Sequence, residues 1–446
     1  MNSAQGVALM KDSLAVAIEA LSWMAYTGLG ERTALFRAAD QMKVKNSAEL
    51  RQAHRLIMET TRFQNRLDYL ISQVVSNEEI ARVPHGIRSF LRIIAYLKYV
   101  QGARQNDLER QVGLARQILG WRDLRSYETQ LAIIVAGRAV RHHPLPEFIG
   151  LSLETCHPPW FVERIVNVFG RSFGLRILQR NLEPMLSYFR LNSLKSVDEA
   201  RAGLMSGEVG DLVNGVDGVF RSDKKGRPSR LVESGAVVVQ DLASITAGLV
   251  ASPKPGDIVL DICAAPGNKT THLAAQMQNR GQIYSVDISS RRLSYWMREM
   301  ARCGCEIASP IRADARRLPF KTEANVVLVD PPCSNSGVFA RSPGGKWKLT
   351  PAGVNEFALR QYSILQAAAD YVTWNAPLVY CTCSILPEEN EFVIDSFLRR
   401  NPDFKLIPQT PFLGSHGLWG FDLCQRFYPH LHECNGYFIA KLKRTG

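Results

Sequence analysis

The stretch that most constrains this chain is Val326 to Cys333, VVLVDPPC, in which an apolar run stops on a carboxylate, two prolines and a thiol. Four consecutive aliphatic residues are typical of a strand that is buried on both faces. Pro331 and Pro332 can neither donate to a β-ladder nor continue a helix, so the strand must end near Asp330. We therefore expect Cys333 at the rim of a sheet.

A second stretch, Leu378 to Ser384 (LVYCTCS), has the same arrangement of an apolar strand that ends on a thiol. If the two strands are parallel in one sheet, their carboxyl ends share an edge. Cys333 and Cys383 would then face one pocket.

Strand and helix patterns alternate from residue 235 to the end of the chain, which predicts an α/β fold with a mainly parallel sheet and helices on both faces. The predicted strands are 258–263, 282–288, 310–314, 326–332 and 377–383. Ligands of such sheets bind at the carboxyl ends of the strands. The polar residues at those ends are Asp261, Asp287, Asp314, Asp330 and Cys383.

The N-terminal third has apolar residues at steps of three and four, which predicts a bundle of amphipathic helices that ends at Pro144 and Pro146. The predicted helices are 7–26, 35–42, 50–75, 86–100, 107–119 and 127–140. One predicted helix side carries Arg51, Arg55, Arg62 and Arg66. These arginines form either a solvated face or a stripe that contacts RNA.

Length and composition complete this outline. A chain of 446 residues is too long for one ordinary core, and we expect three domains, at 1–145, 150–232 and 233–446. The net charge of +12 and a pI near 9.3 indicate a polyanionic partner, with nucleic acid as the leading candidate. The odd number of cysteines and the lack of a secretory signal or a long apolar run favour reduced thiols in the cytoplasm and no membrane partner. No histidine completes a zinc ligand set with the C-x-C pairs, so we expect no metal.

The turn from Asp261 to Thr270, DICAAPGNKT, follows a strand and opens a helix, as a nucleotide-binding turn should. It matches neither G-x-G-x-x-G nor a Walker sequence, and Gly267 is its only glycine, so a ligand without phosphate fits better. S-adenosylmethionine is such a ligand. Asp287 could accept hydrogen bonds from its ribose hydroxyls, and Asp314 could meet its adenine amino group. Each aspartate alone could equally be a turn or helix-cap residue.

Three segments, DICAAPGNKT, DPPCSNSGV and YCTCSILPEEN, resemble the signature motifs of the Nop/Sun (Fmu-type) family of RNA cytosine-5 methyltransferases. The resemblance extends through FRLN, VVVQDLAS and RFYPH…NGYFIAKL. It implies a Rossmann-like class I methyltransferase domain with a mainly parallel seven-stranded sheet, preceded by a small α+β segment. The helical N-terminus is similar to the NusB-like RNA-binding domain of one subgroup, which acts on small-subunit ribosomal RNA. Asn268 and Asn435 depart from the family pattern, which has glycine and aspartate there.

The resemblance also implies roles for individual residues. Cys383 would be the nucleophile and Cys333 the residue that assists release, while Asp330 would bond the polar edge of cytosine and Lys269 would add positive charge. Two thiols suit this chemistry, because carbon 5 of cytosine attacks a methyl group only after a thiolate has added to carbon 6. The implied cofactor-binding residues are Cys263, Ala264, Ala265, Pro266, Gly267, Asn268, Lys269, Asp287, Arg292, Asp314 and Asp330.

Other interpretations compete with these assignments. A single cysteine is more often a small buried apolar residue, and we interpret the cysteines at 156, 263, 303, 305, 381 and 424 in this way. A catalytically silent RNA-binding assembly factor could keep the fold, but the four catalytic positions are intact. DNA cytosine methyltransferases use a Pro-Cys nucleophile but lack a second thiol like that of Thr382-Cys383-Ser384, so no DNA partner is expected. We expect a monomer that acts on ribosomal RNA, with tRNA as the alternative substrate.

Overall fold

The computed structural model describes residues 10–76, 80, 82–138, 144–195, 210–222, 229–320 and 323–445. The chain divides into two compact units, of which the first comprises residues 1–182 and 339–348 and the second comprises residues 183–338 and 349–446. The predicted boundaries at 145, 150 and 232 do not coincide with this division. The helices between residues 147 and 180 group with the first unit, and the small sheet that follows groups with the second. The three-domain division by function stays a prediction.

Helices are the only regular elements among the described residues of the first unit. Its helices are α1 (Lys11–Thr27), α2 (Glu31–Gln41), α3 (Ser47–Arg62), α4 (Gln64–Ser72), α5 (His85–Ala95), α6 (Gln105–Leu119), α7 (Trp121–Leu124), α8 (Glu128–Ala136), α9 (Glu147–Thr155), α10 (Pro159–Phe169) and α11 (Arg171–Arg180). The apolar periodicity located α1 to α6 and α8, because these helices turn their apolar stripes toward a shared core. The predicted helix 50–75 is two helices, since the backbone leaves helical geometry at Phe63.

Segment 339–348, which ends in α16 (Gly345–Lys348), belongs to the first unit although it follows the Cys333 loop in the chain. The buried Lys346 ammonium donates to the carbonyl of Arg62 at 2.9 Å, and burial lowers the pKa of Lys346 to about 7. The Arg62 guanidinium donates to the carbonyls of Ala340 and Asn181, at 3.0 and 2.8 Å. Arg62 is therefore a buried structural residue and not part of an exposed arginine stripe, whereas Arg51, Arg55 and Arg66 are exposed.

The second unit contains a small antiparallel sheet and a large mixed sheet. The small sheet has the order β2-β3-β1-β4, with β1 (Ser187–Leu191), β2 (Asp211–Leu212), β3 (Val219–Ser222) and β4 (Val237–Val239). Helix α12 (Ser229–Glu233) precedes β4. Strands β1 to β3 lie in the predicted small α+β segment, whereas β4 lies beyond its predicted end at residue 232.

The large sheet has nine strands among the described residues, in the order β11-β12-β13-β9-β8-β5-β6-β7 with β10 beside β13. The strands are β5 (Ile258–Ile262), β6 (Gln282–Asp287), β7 (Ala308–Arg312), β8 (Val326–Val329), β9 (Pro377–Thr382), β10 (Phe404–Leu406), β11 (Ser415–His416), β12 (Gln425–Phe427) and β13 (Tyr437–Arg444). Strands β5 to β9 pair in parallel, and β10 to β13 pair antiparallel. The expected count of seven was too low, because two short antiparallel strands extend the C-terminal edge.

Helices cover both faces of this sheet: α13 (Leu242–Ala251), α14 (Asn268–Gln276), α15 (Ser290–Cys303), α17 (Pro351–Ala369) and α18 (Glu391–Arg400), with the short α19 (Pro429–His432) before β13. Successive residues of β8 enter different cores. Leu328 packs in the cluster that contains Leu273 and Trp296, whereas Val327 and Val329 pack in the other. Because every residue of β8 is buried, this strand reads as a continuous apolar run. No helix among the described residues is long and apolar enough to cross a membrane.

Candidate active site

The turn between β5 and α14 is shaped by Gly267, which adopts a φ of 113°. A Cβ atom at this position would lie 2.6 Å from Cε of Met300, the flexible end of that side chain, and 3.1 Å from Cδ1 of Trp296. Because L side chains rarely adopt this φ, a larger residue would strain the backbone here. The next residue, Asn268, stands where the family pattern has a glycine. Its side-chain amide donates to the carbonyl of Val239 at 3.5 Å and so contacts the small sheet.

Asp261, a strand-end aspartate in the sequence, contacts this turn through Thr270. It is fully buried in β5 and accepts a 2.6 Å hydrogen bond from the Thr270 hydroxyl. Burial raises the pKa of Asp261 to about 6, although the Thr270 hydrogen bond opposes the shift. Asp261 therefore supports the turn from beneath.

Asp287, at the end of β6, holds the turn from the other side. Its carboxylate accepts from the backbone amides of Ala265 at 3.3 Å and Ser289 at 3.0 Å, and the Arg292 guanidinium lies 3.3 Å away. The Arg292 guanidinium also donates to the carbonyl of Ala265. Although it ends a strand, Asp287 is only 2% exposed. Its burial follows from these donors, which satisfy it at the strand end.

A cavity of about 290 Å³ opens at the carboxyl ends of β5, β6 and β7. Four predicted cofactor residues line it, together with six that the sequence interpretation missed. The predicted ones are Cys263, Asp287, Arg292 and Asp314, and the missed ones are Ile288, Ala315, Arg316, Pro332, Arg360 and Ile364. Ile288 and Ala315 directly follow strand-end aspartates, a signal that could have found them. The other seven predicted cofactor residues do not line this cavity: Ala264, Ala265, Pro266, Gly267, Asn268, Lys269 and Asp330.

Asp314 is paired in this cavity. The Arg316 guanidinium lies 2.6 Å from its carboxylate, and this hydrogen bond lowers the pKa of Asp314 to about 2. Asp314 is therefore ionised at neutral pH and can accept a hydrogen bond from a ligand.

The two predicted thiols meet as expected at the ends of adjacent parallel strands β8 and β9. Sγ of Cys333 lies 3.1 Å from Sγ of Cys383. Cys333 is buried, and its contact with Cys383 raises its pKa, with burial adding to the shift. Cys383 is partly exposed, and its thiol also contacts Oδ1 of Asn335 at 2.9 Å. Asn335, which the sequence interpretation missed, adopts a φ of 57° beside both thiols.

Lys269 and Asp330 form an ion pair close to these thiols, with 2.6 Å between Nζ and Oδ2. Although burial opposes its charge, the Asp330 carboxylate holds the pKa of Lys269 above its usual range. Asp330 also accepts from the Cys381 thiol at 3.7 Å, and Cys381 is buried, as predicted. The site therefore combines two thiols with a fixed cation and a fixed carboxylate.

Comparisons with known proteins agree with this architecture. The family model for "16S rRNA methyltransferase RsmB/F" matches residues 249–443. A ribosomal RNA small subunit methyltransferase B of Cronobacter sakazakii is 30% identical over 310 residues, which cover 67% of this chain and 68% of that protein. A probable methyltransferase of the same description from Bacillus subtilis is 27% identical over 416 residues, covering 88% of this chain and 90% of that one.

The chain is also similar to a protein of Pyrococcus horikoshii and to a protein of known crystal structure. A tRNA (cytosine(72)-C(5))-methyltransferase of that organism is 36% identical over 215 residues, covering 48% of this chain and 54% of that protein. The crystal structure of PH0851 matches with a TM-score of 0.84 at 26% identity, covering 99% of this chain and all of that chain. Together with the thiol pair and the parallel sheet, these likenesses show that the chain belongs to the RsmB/F family of RNA methyltransferases.

Proposed function

We propose that this protein transfers a methyl group from S-adenosylmethionine to carbon 5 of a cytosine in RNA, through a covalent adduct with Cys383. The observation that carries the proposal is the contact of 3.1 Å between the Cys333 and Cys383 thiols, beside the Lys269–Asp330 ion pair. A reaction that forms and then breaks a bond to a base ring needs a nucleophile and a group that assists its release, and two thiols in contact can supply both.

The cavity of about 290 Å³ fits S-adenosylmethionine in its chemistry. The Asp287 carboxylate is suited to accept from ribose hydroxyls, and the ionised Asp314 can accept from the adenine amino group. Ile288, Pro332 and Ile364 supply apolar surface for a flat base. When bound, the cofactor supplies an electrophilic methyl group on a cationic sulfur. Pro332, which lines the cavity, directly precedes Cys333 in the chain, so the cavity borders the loop that carries this thiol.

The difference in exposure of the two thiols favours Cys383 as the nucleophile. Two thiols in contact do not both ionise readily, because like charges at this distance repel. The raised pKa of Cys333 favours its neutral form, and Cys383 is the more accessible of the two thiols for attack on a base. The thiolate is the reactive form of cysteine.

The reaction then proceeds in two steps on the base. The Cys383 thiolate forms a bond to carbon 6, and the electron pair of the 5,6 double bond makes carbon 5 nucleophilic toward the methyl group. Afterwards carbon 5 loses its proton, the double bond forms again, and the bond between carbon 6 and Sγ breaks to return the thiolate. Cys333 lies 3.1 Å from Cys383. Once Cys383 is bonded to carbon 6 and carries no charge, Cys333 can lose its own proton to solvent and accept the proton of carbon 5 as a thiolate. Asp330, fixed by Lys269, is the candidate to bond the polar edge of cytosine.

The substrate we propose is small-subunit ribosomal RNA, because relatives that cover most of this chain carry that description. The exposed Arg51, Arg55 and Arg66 of the helical unit are candidates to contact its phosphates. A tRNA is the second candidate, since the 36% identical relative is a tRNA methyltransferase. Bisulfite sequencing of RNA from a strain that lacks the protein would name the cytosine and decide between them.

The test of the mechanism is a comparison of Cys333→Ala, Cys383→Ala and the double variant, each incubated with S-adenosylmethionine and ribosomal RNA. We expect Cys333→Ala to methylate once and remain as a covalent protein–RNA adduct on a denaturing gel, because elimination is blocked. Cys383→Ala and the double variant should form no adduct, since nothing adds to carbon 6.

The outcomes separate the competing assignments. An adduct seen only with Cys383→Ala would reverse the roles of the two thiols. Wild-type protein that neither methylates RNA nor binds S-adenosylmethionine in a calorimeter would instead support the catalytically silent RNA-binding protein.

A further inference from the structure

A fully buried carboxylate, Glu389, lies between the two loops that carry the thiols. It is the last residue of a 3₁₀ turn, Pro387–Glu389, that follows the Cys383 loop. Its Oε2 accepts hydrogen bonds from the hydroxyls of Ser334 and Ser384, both at 2.5 Å. Ser334 and Ser384 are the residues directly after Cys333 and Cys383. One carboxylate oxygen therefore connects both thiol-bearing loops.

The other carboxylate oxygen is also occupied. Oε1 accepts from the backbone amide of Ser334 at 2.8 Å and from the side-chain amide of Gln361 at 2.9 Å. Gln361 donates in addition to the carbonyl of Pro332 at 3.0 Å. The residues on both sides of Cys333 are therefore held, directly or through Gln361, by Glu389.

The chemistry of this position requires a carboxylate. The backbone N–H of Ser334 can only donate, so Oε1 must be an acceptor. The Gln361 amide is held as a donor by its second hydrogen bond, to the carbonyl of Pro332. The serine hydroxyls are partly committed as well, because the amides of Ser336 and Leu386 donate to Ser334 and Ser384 respectively. An amide in place of the carboxylate presents an N–H group to these donors and leaves at least one of them without its acceptor.

We propose that Glu389 is a positioning residue of the reaction, which fixes the separation of the Cys333 and Cys383 thiols by binding the residue after each of them. The inference rests on the proposed function for the roles of the two thiols, whereas the contacts of Glu389 with their loops do not depend on it. Glu389 touches neither substrate nor reacting atoms, and it acts through Ser334 and Ser384. Misplacement of a catalytic group by about 1 Å can cost about 10²-fold in rate.

The test compares Glu389→Gln with Glu388→Gln, a matched control. Glu388 is the neighbouring acid, is partly exposed, and lines a surface groove between α17 and α18. The first measurement is the rate at which diamide, a thiol oxidant, converts Cys333 and Cys383 into a disulfide, followed by peptide mass spectrometry. Both thiols lose their protons and are oxidised while diamide is reduced to its hydrazine. This rate reports the mutual position of the thiols and does not require methylation.

The second measurement is single-turnover methylation of RNA, with calorimetric affinity for S-adenosylmethionine and the melting temperature measured on the same preparations. For Glu389→Gln we expect disulfide formation to slow by about 10-fold or more and methylation by about 10- to 100-fold. Cofactor affinity should stay within about 2-fold, and Glu388→Gln should match wild type in every measurement.

If Glu389→Gln does not fold, Ser384→Ala removes one of the four donors and should give a smaller loss of the same kind. A folded Glu389→Gln or Ser384→Ala protein with wild-type rates of disulfide formation and methylation would overturn the proposal. So would a lower melting temperature with both rates unchanged, because that result describes a residue that only stabilises the fold. If wild-type protein forms the disulfide but never methylates RNA, the proposed function fails while the positioning role still stands.

Discussion

The buried ion pair between Glu391 and Arg426 gives a quantitative prediction. Glu391 opens α18 directly beyond the Cys383 loop, and the side chains of both residues are at most 1% exposed. Nε of Arg426 lies 2.6 Å from Oε1 of Glu391, and a second N–H group donates to Oε2. The third contact runs from Arg426 to the carbonyl of Ile385 at 2.9 Å, two residues after Cys383. We choose Arg426→Met, because methionine fills the volume without the charge.

The magnitude follows from these contacts. At 2.6 Å the attraction between unit charges is about 6 kcal/mol with an effective dielectric constant of about 20. The substitution also removes the desolvation cost of Arg426, so the net loss should be about 3–5 kcal/mol, the usual result of leaving one buried charge unpaired. For a unit of this size, that loss lowers the melting temperature by roughly 6–20 °C.

Differential scanning calorimetry is the suitable assay, because it can resolve separate transitions of the two units. The control is the double variant Arg426→Met/Glu391→Met, in which no charge is left unpaired. Its free energy of unfolding should lie within about 2 kcal/mol of the wild-type value, since buried pairs are often replaced by apolar residues at little cost. A single variant that loses less than about 1 kcal/mol, or a double variant whose loss equals the sum of the two single losses, would refute the reasoning.

Two further predictions concern the aspartates around the cofactor turn. Asp287→Asn should lose at least about 10-fold in calorimetric affinity for S-adenosylmethionine, because the amide cannot accept from both ribose hydroxyls and the backbone amides; an unchanged affinity would remove Asp287 from the binding site. Because the pKa of Asp261 is raised to about 6, its contribution to stability is complete below about pH 4 and is lost as the pH rises through 6. The loss in the free energy of unfolding amounts to about 3 kcal/mol and should be absent in Asp261→Asn. Urea unfolding of both proteins between pH 4 and pH 8 tests this, and the reasoning is wrong if the two proteins show the same pH dependence.

The sequence was sufficient to locate the central strands. Strands β5, β6, β8 and β9 begin where the apolar runs predicted them and end within three residues of the predicted ends. Strands that are buried on both faces need unbroken aliphatic residues, so the signal lies in each segment itself. The contact of Cys333 with Cys383 followed from the same argument, because parallel neighbours bring their carboxyl ends together.

Contacts between distant segments were beyond the sequence. Nothing in residues 339–348 indicates that Lys346 is buried in the helical unit with Arg62, since that burial depends on partners nearly 300 positions away. The sequence pattern did not predict the short strands β11 and β12, for a related reason. A strand of two or three residues is too brief to show alternation, and only its pairing with β13 defines it.

The acids of the segment PEENE show why the supports of a site are harder to predict than its reactive groups. Glu388, Glu389 and Glu391 stand together at the start of α18, where acidic residues ordinarily stabilise a helix N-terminus on its exposed side. By that rule all three are equivalent. The fold separates them, because Glu388 stays partly exposed, Glu389 is enclosed by serines of two loops, and Glu391 is enclosed with Arg426. A buried carboxylate is defined by its donors, and the donors to Glu389 come from strand ends and a helix that lie up to 55 positions from it in the chain.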